Sequence, residues 1–595
     1  MNVKDPLLWG CLSSICLAAC LAACLAGCGG RLSGDEPDGA TPSTADGAAP
    51  HWGDAGDAQG APDAHPAPDA GARPDAQSPP LPANPAFLTR LVLTASKNSM
   101  TQGEAVHFRP RFEGERGYDP TLRWQLSPPH SGTVSDTGIY LPAETFAGTA
   151  TITATSTFNP ASSAQAIVTV VAGDKGIYVD AGVTAGGNGS RAAPFRTLQQ
   201  AVDAVPAGTV AATIKVARGT YSDPVAIGGR SVLVLGGFAR GFGQRDAAVH
   251  PSHIRGARPA GSQEPSCDSS AAHAEERTGI TIGGWDVPTP SAASGSVVDG
   301  FTISHWRKGV LVDLVNDVQI SGNTVEYNGT PSGGDLFRGA GISVGKASGN
   351  WILKNILRKN LATRAGALQV LAGDNGGSHV HDNDIVDNLA CGDHGGAVFI
   401  AGGVGQPPHR FTRNRVRRNR LGEGWGWGGG LLTSAAHLVM AYDIFSENEA
   451  PSAGSAMILD DPGFTILDHE LIWGNIGSSR YREGGGAVYL DEAGNVARMY
   501  DCVVVDNEVP DASALFVDKS EMHAFGIIAV SGGKSVNVNA GTFVSSDSLF
   551  GDAPPGQSTR PLVGDPAQTC GAASEPAALH DACALYLAYL RGERR

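Results

Sequence analysis

From Asn323 onward one unit recurs: N-x-[IVLT]-x-x-N, a connection of variable length, a small residue and a short apolar strand. The second asparagine falls at 328, 360, 388, 419, 448, 475 and 507, at intervals of 27 to 32 residues. The small residue falls at Gly341, Ala367, Ala397, Gly430, Ala456, Ala487 and Ala514. AVFI at 397–400, AMIL at 456–459, AVYL at 487–490 and ALFV at 514–517 then read as one strand met in successive turns of a solenoid. A coil of this length cannot bury its apolar side chains alone, whereas stacked coils cover one another. Asparagine suits the tight backbone of a corner, and its amide can bond to the same amide one coil away. The repeat therefore predicts stacked coils joined by an asparagine ladder. A leucine-rich repeat is excluded, because its leucine pattern and shorter period are both absent.

This register accounts for an unusual stretch, FTRNRVRRNR at 411–420, in a chain whose formal net charge is −16. The position before the second asparagine reads Tyr327, Lys359, Asp387, Arg418, Glu447, Gly474, Asp506, so the sign of charge alternates over four coils. Adjacent strands lie ~4.8 Å apart, and opposite charges at that spacing favour one register. Arg418 is expected between Asp387 and Glu447, with Arg415 beside Asp384. Arg413, Arg417 and Arg420 are left over and form a candidate cationic strip for anionic glycans.

A length of 595 residues implies several structural units, and 80 glycines and 37 prolines with only 17 % charged residues suit a turn-rich all-β chain. The acidic balance argues against nucleic acid as a partner. At the N-terminus, Lys4 precedes an apolar run from Leu7 to Ala26 that ends in Leu25-Ala26-Gly27-Cys28. The run resembles a bacterial lipoprotein signal over residues 1–27, which implies lipidation of Cys28, and Gly29 after the cysteine implies the outer membrane. The alternatives are an ordinary cleaved signal peptide and a short membrane helix. Residues 28–85 repeat Pro-Asp-Ala and hold almost no large apolar side chain, so they are expected to form a disordered tether.

Residues 86–172 alternate in short strands such as GTATITATS at 148–156. With Trp124 in LRWQLS and GTVSDTGIYLPA at 132–143, the segment resembles a bacterial immunoglobulin-like sandwich, which implies a spacer or adhesive module. Residues 176–221 follow, with a capping box at Thr197–Gln200 before a short helix whose apolar face is Leu198, Ala201, Val202 and Val205. A strand over Thr213–Ala217 comes next. This stretch resembles the opening of right-handed parallel β-helix proteins of the pectate-lyase-like kind, where a helix covers the first coil. The expected fold is thus all-β: a disordered tether, a sandwich, a right-handed parallel β-helix over 175–552, and a tail over 553–595. The tail carries a capping helix expected as a lid on the last coil.

Five cysteines fall in the signal; Cys267, Cys391, Cys502, Cys570 and Cys583 show no C-x-x-C spacing and do not suggest zinc. Cys570 and Cys583 are close enough in sequence to pair, and the remaining pairing is left open.

Candidate chemistry lies in the connections, because the strands are committed to their ladders. Arg364, Trp425, Trp427, Arg480, Tyr481, Arg482 and Glu483 fall there, and aromatic faces and guanidinium forks suit a polysaccharide laid along one rim. Packing of the two tryptophans onto the coil is the competing reading. Asp393, His394 and Glu423 are the candidate catalytic groups, as a carboxylate pair for glycoside hydrolysis or a histidine base for a lyase. The motif sets that resemblance to polygalacturonases or pectate lyases would require are not present together. Asp460, Asp491 and Asp518 stand at one position of three successive coils and are the candidate calcium ligands; no other cofactor is implied. The leading reading is a non-catalytic cell-envelope lipoprotein that displays the solenoid surface and binds polysaccharide along the rim. The alternatives are a polysaccharide lyase or glycoside hydrolase, and a structural or adhesive surface protein.

Overall fold

The computed structural model describes residues 88–591, apart from 115–118, 258–265, 268–274, 285–289, 331–338, 393–394, 423–425, 462, 478–485, 510–512, 532–533, 553–561, 564–565 and 571–578. The signal, Cys28 and the tether therefore lie outside the described residues.

Residues 88–171 form two four-stranded sheets that share a core of Met100, Val106, Phe108, Tyr140, Ile152, Val168 and Val170. Strands such as Gly148–Ser156 alternate buried and half-exposed residues, which is the signature of a sheet with one face on a core. The rest of the chain is a parallel β-solenoid with three long sheets of thirteen, thirteen and eleven strands. Each coil runs from the first sheet to the second, then through a connection to the third. Gln319–Ser321, Thr324–Glu326 and Ile342–Ala347 make one coil, and Trp351–Leu353 begins the next. A short fourth strip of two-residue strands, from Leu361–Ala362 to Ile476–Gly477, follows the second sheet in five coils.

Two corners explain the repeat. The second asparagines form an unbroken ladder in which each amide nitrogen donates to the next coil's amide oxygen. Asn388, for example, donates through Nδ2 to Asn419 Oδ1 at 2.9 Å and to the Leu357 carbonyl at 2.8 Å, while its own oxygen accepts from Asn360. The first asparagines ladder likewise through Asn323, Asn355, Asn383 and Asn414. Beyond Asn414 the column continues as Asp443, Glu470 and Cys502, each following its predecessor in the backbone ladder. The residue before each second asparagine lies in the left-handed region, with φ between 50° and 62° from Tyr327 to Asp506, which costs a side-chain-bearing residue energy that the flanking ladder offsets.

The predicted capping box is present: Thr197 Oγ1 accepts from the Gln200 amide, and Gln200 Oε1 accepts from the Thr197 amide. The helix Leu198–Ala204 buries Leu198, Ala201 and Val202 over the first coil's interior, beside the strand Ala212–Ala217. At the other end the helix His580–Leu590 does not simply cover the last coil. It lies on the flank of the second sheet, packing on Leu471, Val503, Ile528 and Leu549 of four successive coils, and the Cys570–Cys583 disulfide ties it down. The apolar outward column of those four residues, unlike the charged one in earlier coils, is what draws the helix there.

The sandwich, expected as a spacer, is docked on the outer face of the first sheet. Phe112 meets Trp351 and Phe158 meets Tyr442. Polar contacts complete the seam: His107 Nε2 with Gln319 Oε1 at 2.7 Å, Gln319 Nε2 donating to the Thr137 carbonyl at 2.9 Å, and Arg413 donating to Asp119 at 2.9 Å.

Candidate functional site

The second asparagine and the small residue are seven to thirteen positions apart in the seven coils, whereas the two ladder positions are always five apart. Length varies most on this rim, between the fourth strip and the third sheet; the stretch from the small residue to the next first ladder position varies less, from thirteen to seventeen. Strand pairing leaves no room for insertions, and a solvent-facing corner tolerates them.

Of the predicted rim residues, Arg364 and Trp427 are described; Asp393, His394, Glu423, Trp425, Arg480, Tyr481, Arg482 and Glu483 lie outside the described residues. Arg364 is half-buried, and its carbonyl accepts the Gly339 amide at 3.2 Å. Trp427 is also half-buried and packs on an outward apolar cluster of Leu432, Ile458, Tyr489 and Phe516. With Phe399, these residues occupy one column of the third sheet in successive coils. The sequence signal for this column was visible: AVFI, AMIL, AVYL and ALFV are apolar at consecutive positions instead of alternate ones, as strands covered on both faces are.

A disulfide not assigned from sequence joins Cys267 to Cys391. Cys391 stands two residues before Asp393, and Cys267 Sγ lies close over Gly422 of the following coil. The long connection between Ser252–Arg255 and the strand from Glu275 is therefore pinned to the rim at Cys391.

The arginine-rich stretch resolves into pairs. Arg418 donates to both oxygens of Asp387, at 2.9 and 3.2 Å, as the alternating column predicts. Asp384 is held by Arg417, at 2.8 and 3.1 Å, instead of by Arg415, which stands beside it in the register. Arg413 bridges Asp382 and Asp119 in the seam with the sandwich. Arg420 faces Glu449 across the fourth strip. The leftover arginines thus form no continuous cationic strip.

Asp460, Asp491 and Asp518 each follow the last paired residues Leu459, Leu490 and Val517 of consecutive strands in the third sheet. Asp460 and Asp491 accept the amides of Asp461 and Glu492, and Asp518 accepts from Asn539 Nδ2 at 3.0 Å with Lys519 beside it. Burial, with added repulsion from Asp461, Asp491 and Glu492, pushes the Asp460 carboxyl up to about 6. Among the described residues, the acidic and imidazole atoms that gather within 4.8 Å of one another belong instead to Asp468, His469 and Asp501. Burial alone would lower His469, but the hydrogen bond to Asp468 and the charges of Asp468, Asp501 and Asp581 hold it above its ordinary value.

No protein-family model matches this chain, and no curated protein does. Among solved structures it is similar to Geobacillus virus E2 ORF18, with 10 % identity and a TM-score of 0.26 over 60 % of this chain and 59 % of that one. It is also similar to the pectin methylesterase of Aspergillus niger, with 8 % identity and a TM-score of 0.19 over 66 % of this chain and 91 % of that one. At these scores neither lends its chemistry to this chain.

Proposed function

We propose that this protein is a lipid-anchored outer-membrane protein that presents its solenoid as a non-catalytic recognition surface for envelope polysaccharide. The observation that carries the reading is the sequence pattern of one rim, the most variable in length of the coil's connections, where Arg364, Trp425, Trp427, Arg480, Tyr481 and Arg482 fall. A stack of coils repeats that rim at ~4.8 Å, a spacing suited to an extended chain of sugar rings lying along the axis. Two disulfides favour an oxidising compartment, in keeping with export beyond the cytoplasm. A lipidated Cys28 followed by an extended tether would let the folded part stand off the membrane.

The test is a glycan array probed with the full chain, followed by incubation of each hit to look for shortening. Binding without shortening, weakened by Trp425→Ala and Arg482→Ala, is the expected outcome. Shortening would replace the reading with a lyase or hydrolase, and silence on every glycan would favour an adhesive or structural role. For the anchor, Cys28→Ala should move the protein from the membrane to the soluble fraction; retention in the membrane would defeat that part.

A further inference from the structure

Where the sandwich meets the first coils, the two line an open cavity of about 820 Å³, independent of the reading of the rim. Its floor is the first sheet. On the strand Ala212–Ala217, Ile214 and Val216 point into the solenoid, so Lys215 between them points out, into this cavity. Lys215 is only 8 % exposed, and its ammonium sits 5.8 Å from the Tyr178 ring centre and 5.7 Å from that of Phe238. Among the described residues it has no hydrogen-bond or ion-pair partner.

The acids nearest to it are engaged elsewhere. Asp174 accepts from the Tyr178 hydroxyl at 2.7 Å and the Gly176 amide at 2.9 Å. Glu144 pairs with Arg191 at 2.6 Å, and Glu104 with Lys97 at 2.8 Å. A buried cation without a direct ion pair is costly, and such a group aimed into a space of ligand size marks a binding site.

We propose that this cavity binds a small monocarboxylate with a flat ring body, its carboxylate on the Lys215 ammonium and its ring against Phe238 and Phe242. One free cation matches one negative charge. The other guanidinium groups on the lining, Arg191 and Arg245, are already paired with Glu144 and Asp299, and Asp174 and Asp246 would repel a more highly charged ligand. Burial lowers Lys215 to about 8, against the pull of Asp174, so the ammonium is present at neutral pH and lost above it.

The test is calorimetric titration of the full chain at pH 7 with benzoate, 1-naphthoate, neutral benzamide and inorganic phosphate. The carboxylates should bind, benzamide and phosphate should bind at least about ten-fold more weakly, and Lys215→Met should weaken the carboxylates by about ten-fold or more. Carboxylate affinity should fall as pH rises through about 8. Because the variant alters a buried position, the unaltered chain gives a second readout: benzoate should slow labelling of Lys215 by an amine-reactive reagent, followed by peptide mass spectrometry. The proposal is overturned if neither carboxylate binds or protects Lys215, or if benzamide or phosphate binds as well as benzoate.

Discussion

Asp443 stands where the four preceding coils place an asparagine amide. Its Oδ1 does what an amide oxygen does, accepting from the Asn414 backbone and Nδ2 at 2.6 and 3.0 Å. Its Oδ2 stands in place of an amide nitrogen, and no N–H reaches it. Burial pushes its carboxyl and that of Glu470 in the next coil well above their ordinary range, with the charge of Asp443 adding to Glu470, so protons take the place of the missing amide hydrogens. A raised carboxyl binds more protons folded than unfolded once pH passes about 4, so its contribution to stability falls as pH rises. Asp443→Asn should therefore raise Tm at pH 8, by the equivalent of about 1–2 kcal/mol, and have little effect at pH 4. Equal shifts at the two pH values would refute protonation of the pair. The second ladder offers a contrast. Asn388→Ala leaves buried partners on both sides and should cost about 2–4 kcal/mol in denaturant unfolding. Arg418→Ala, which breaks an exposed pair with Asp387, should cost under about 1 kcal/mol. Reversal of that order would mean that the charge column, not the amide column, holds the stack.

Elements differ in how far local pattern dictates their place. The helix Leu198–Ala204 was readable in full, because its capping box and apolar face are encoded within eight residues. The C-terminal helix was readable as a helix but not in position. Its docking face is a column built from residues of four coils, between Leu471 and Leu549, that sequence order scatters over nearly eighty positions. Ending the chain after Val563 should uncover that column while leaving the ladders intact. The expected result is increased binding of an apolar dye and self-association by light scattering, with a largely unchanged far-ultraviolet spectrum. A monomeric, dye-silent product would show that the helix is not what shields the flank. The outward apolar column of the third sheet, from Phe399 to Phe516, teaches the same lesson. Consecutive apolar residues announced two buried faces, yet only the fold shows Trp427 lying on it.

At the scale of the whole molecule, the seam between sandwich and solenoid joins the two into one body. Arg413 bridges Asp382 and Asp119 there; removing it leaves the mostly buried Asp119 without its counter-charge, while Asp382 keeps Lys354 and His381. Arg413→Ala should destabilise by about 3 kcal/mol and raise hydrogen exchange across the sandwich; unchanged exchange would deny the seam its role. His107 adds a pH dependence. Burial, reinforced by Arg109, lowers it to about 3 against the pull of Gln319 and Asp299. The folded state thus binds fewer protons than the unfolded one below pH ~6.5, and stability is lost as pH falls from there towards 3, by at most ~1.4 kcal/mol per unit. Loss of exchange protection at Val106–Phe108 on acidification, abolished in His107→Gln, is the expected signature. Read alone, the amino-acid sequence determined the solenoid, its ladder, its first helix and the Arg418 pairing, because each follows from spacing that stacking converts directly into contact. Only the tertiary structure decided the docked sandwich, the partners of Arg413 and Arg417, the Cys267–Cys391 bridge and the buried Lys215. These join residues tens to hundreds of positions apart, and no periodicity in one chain specifies which distant surfaces will meet.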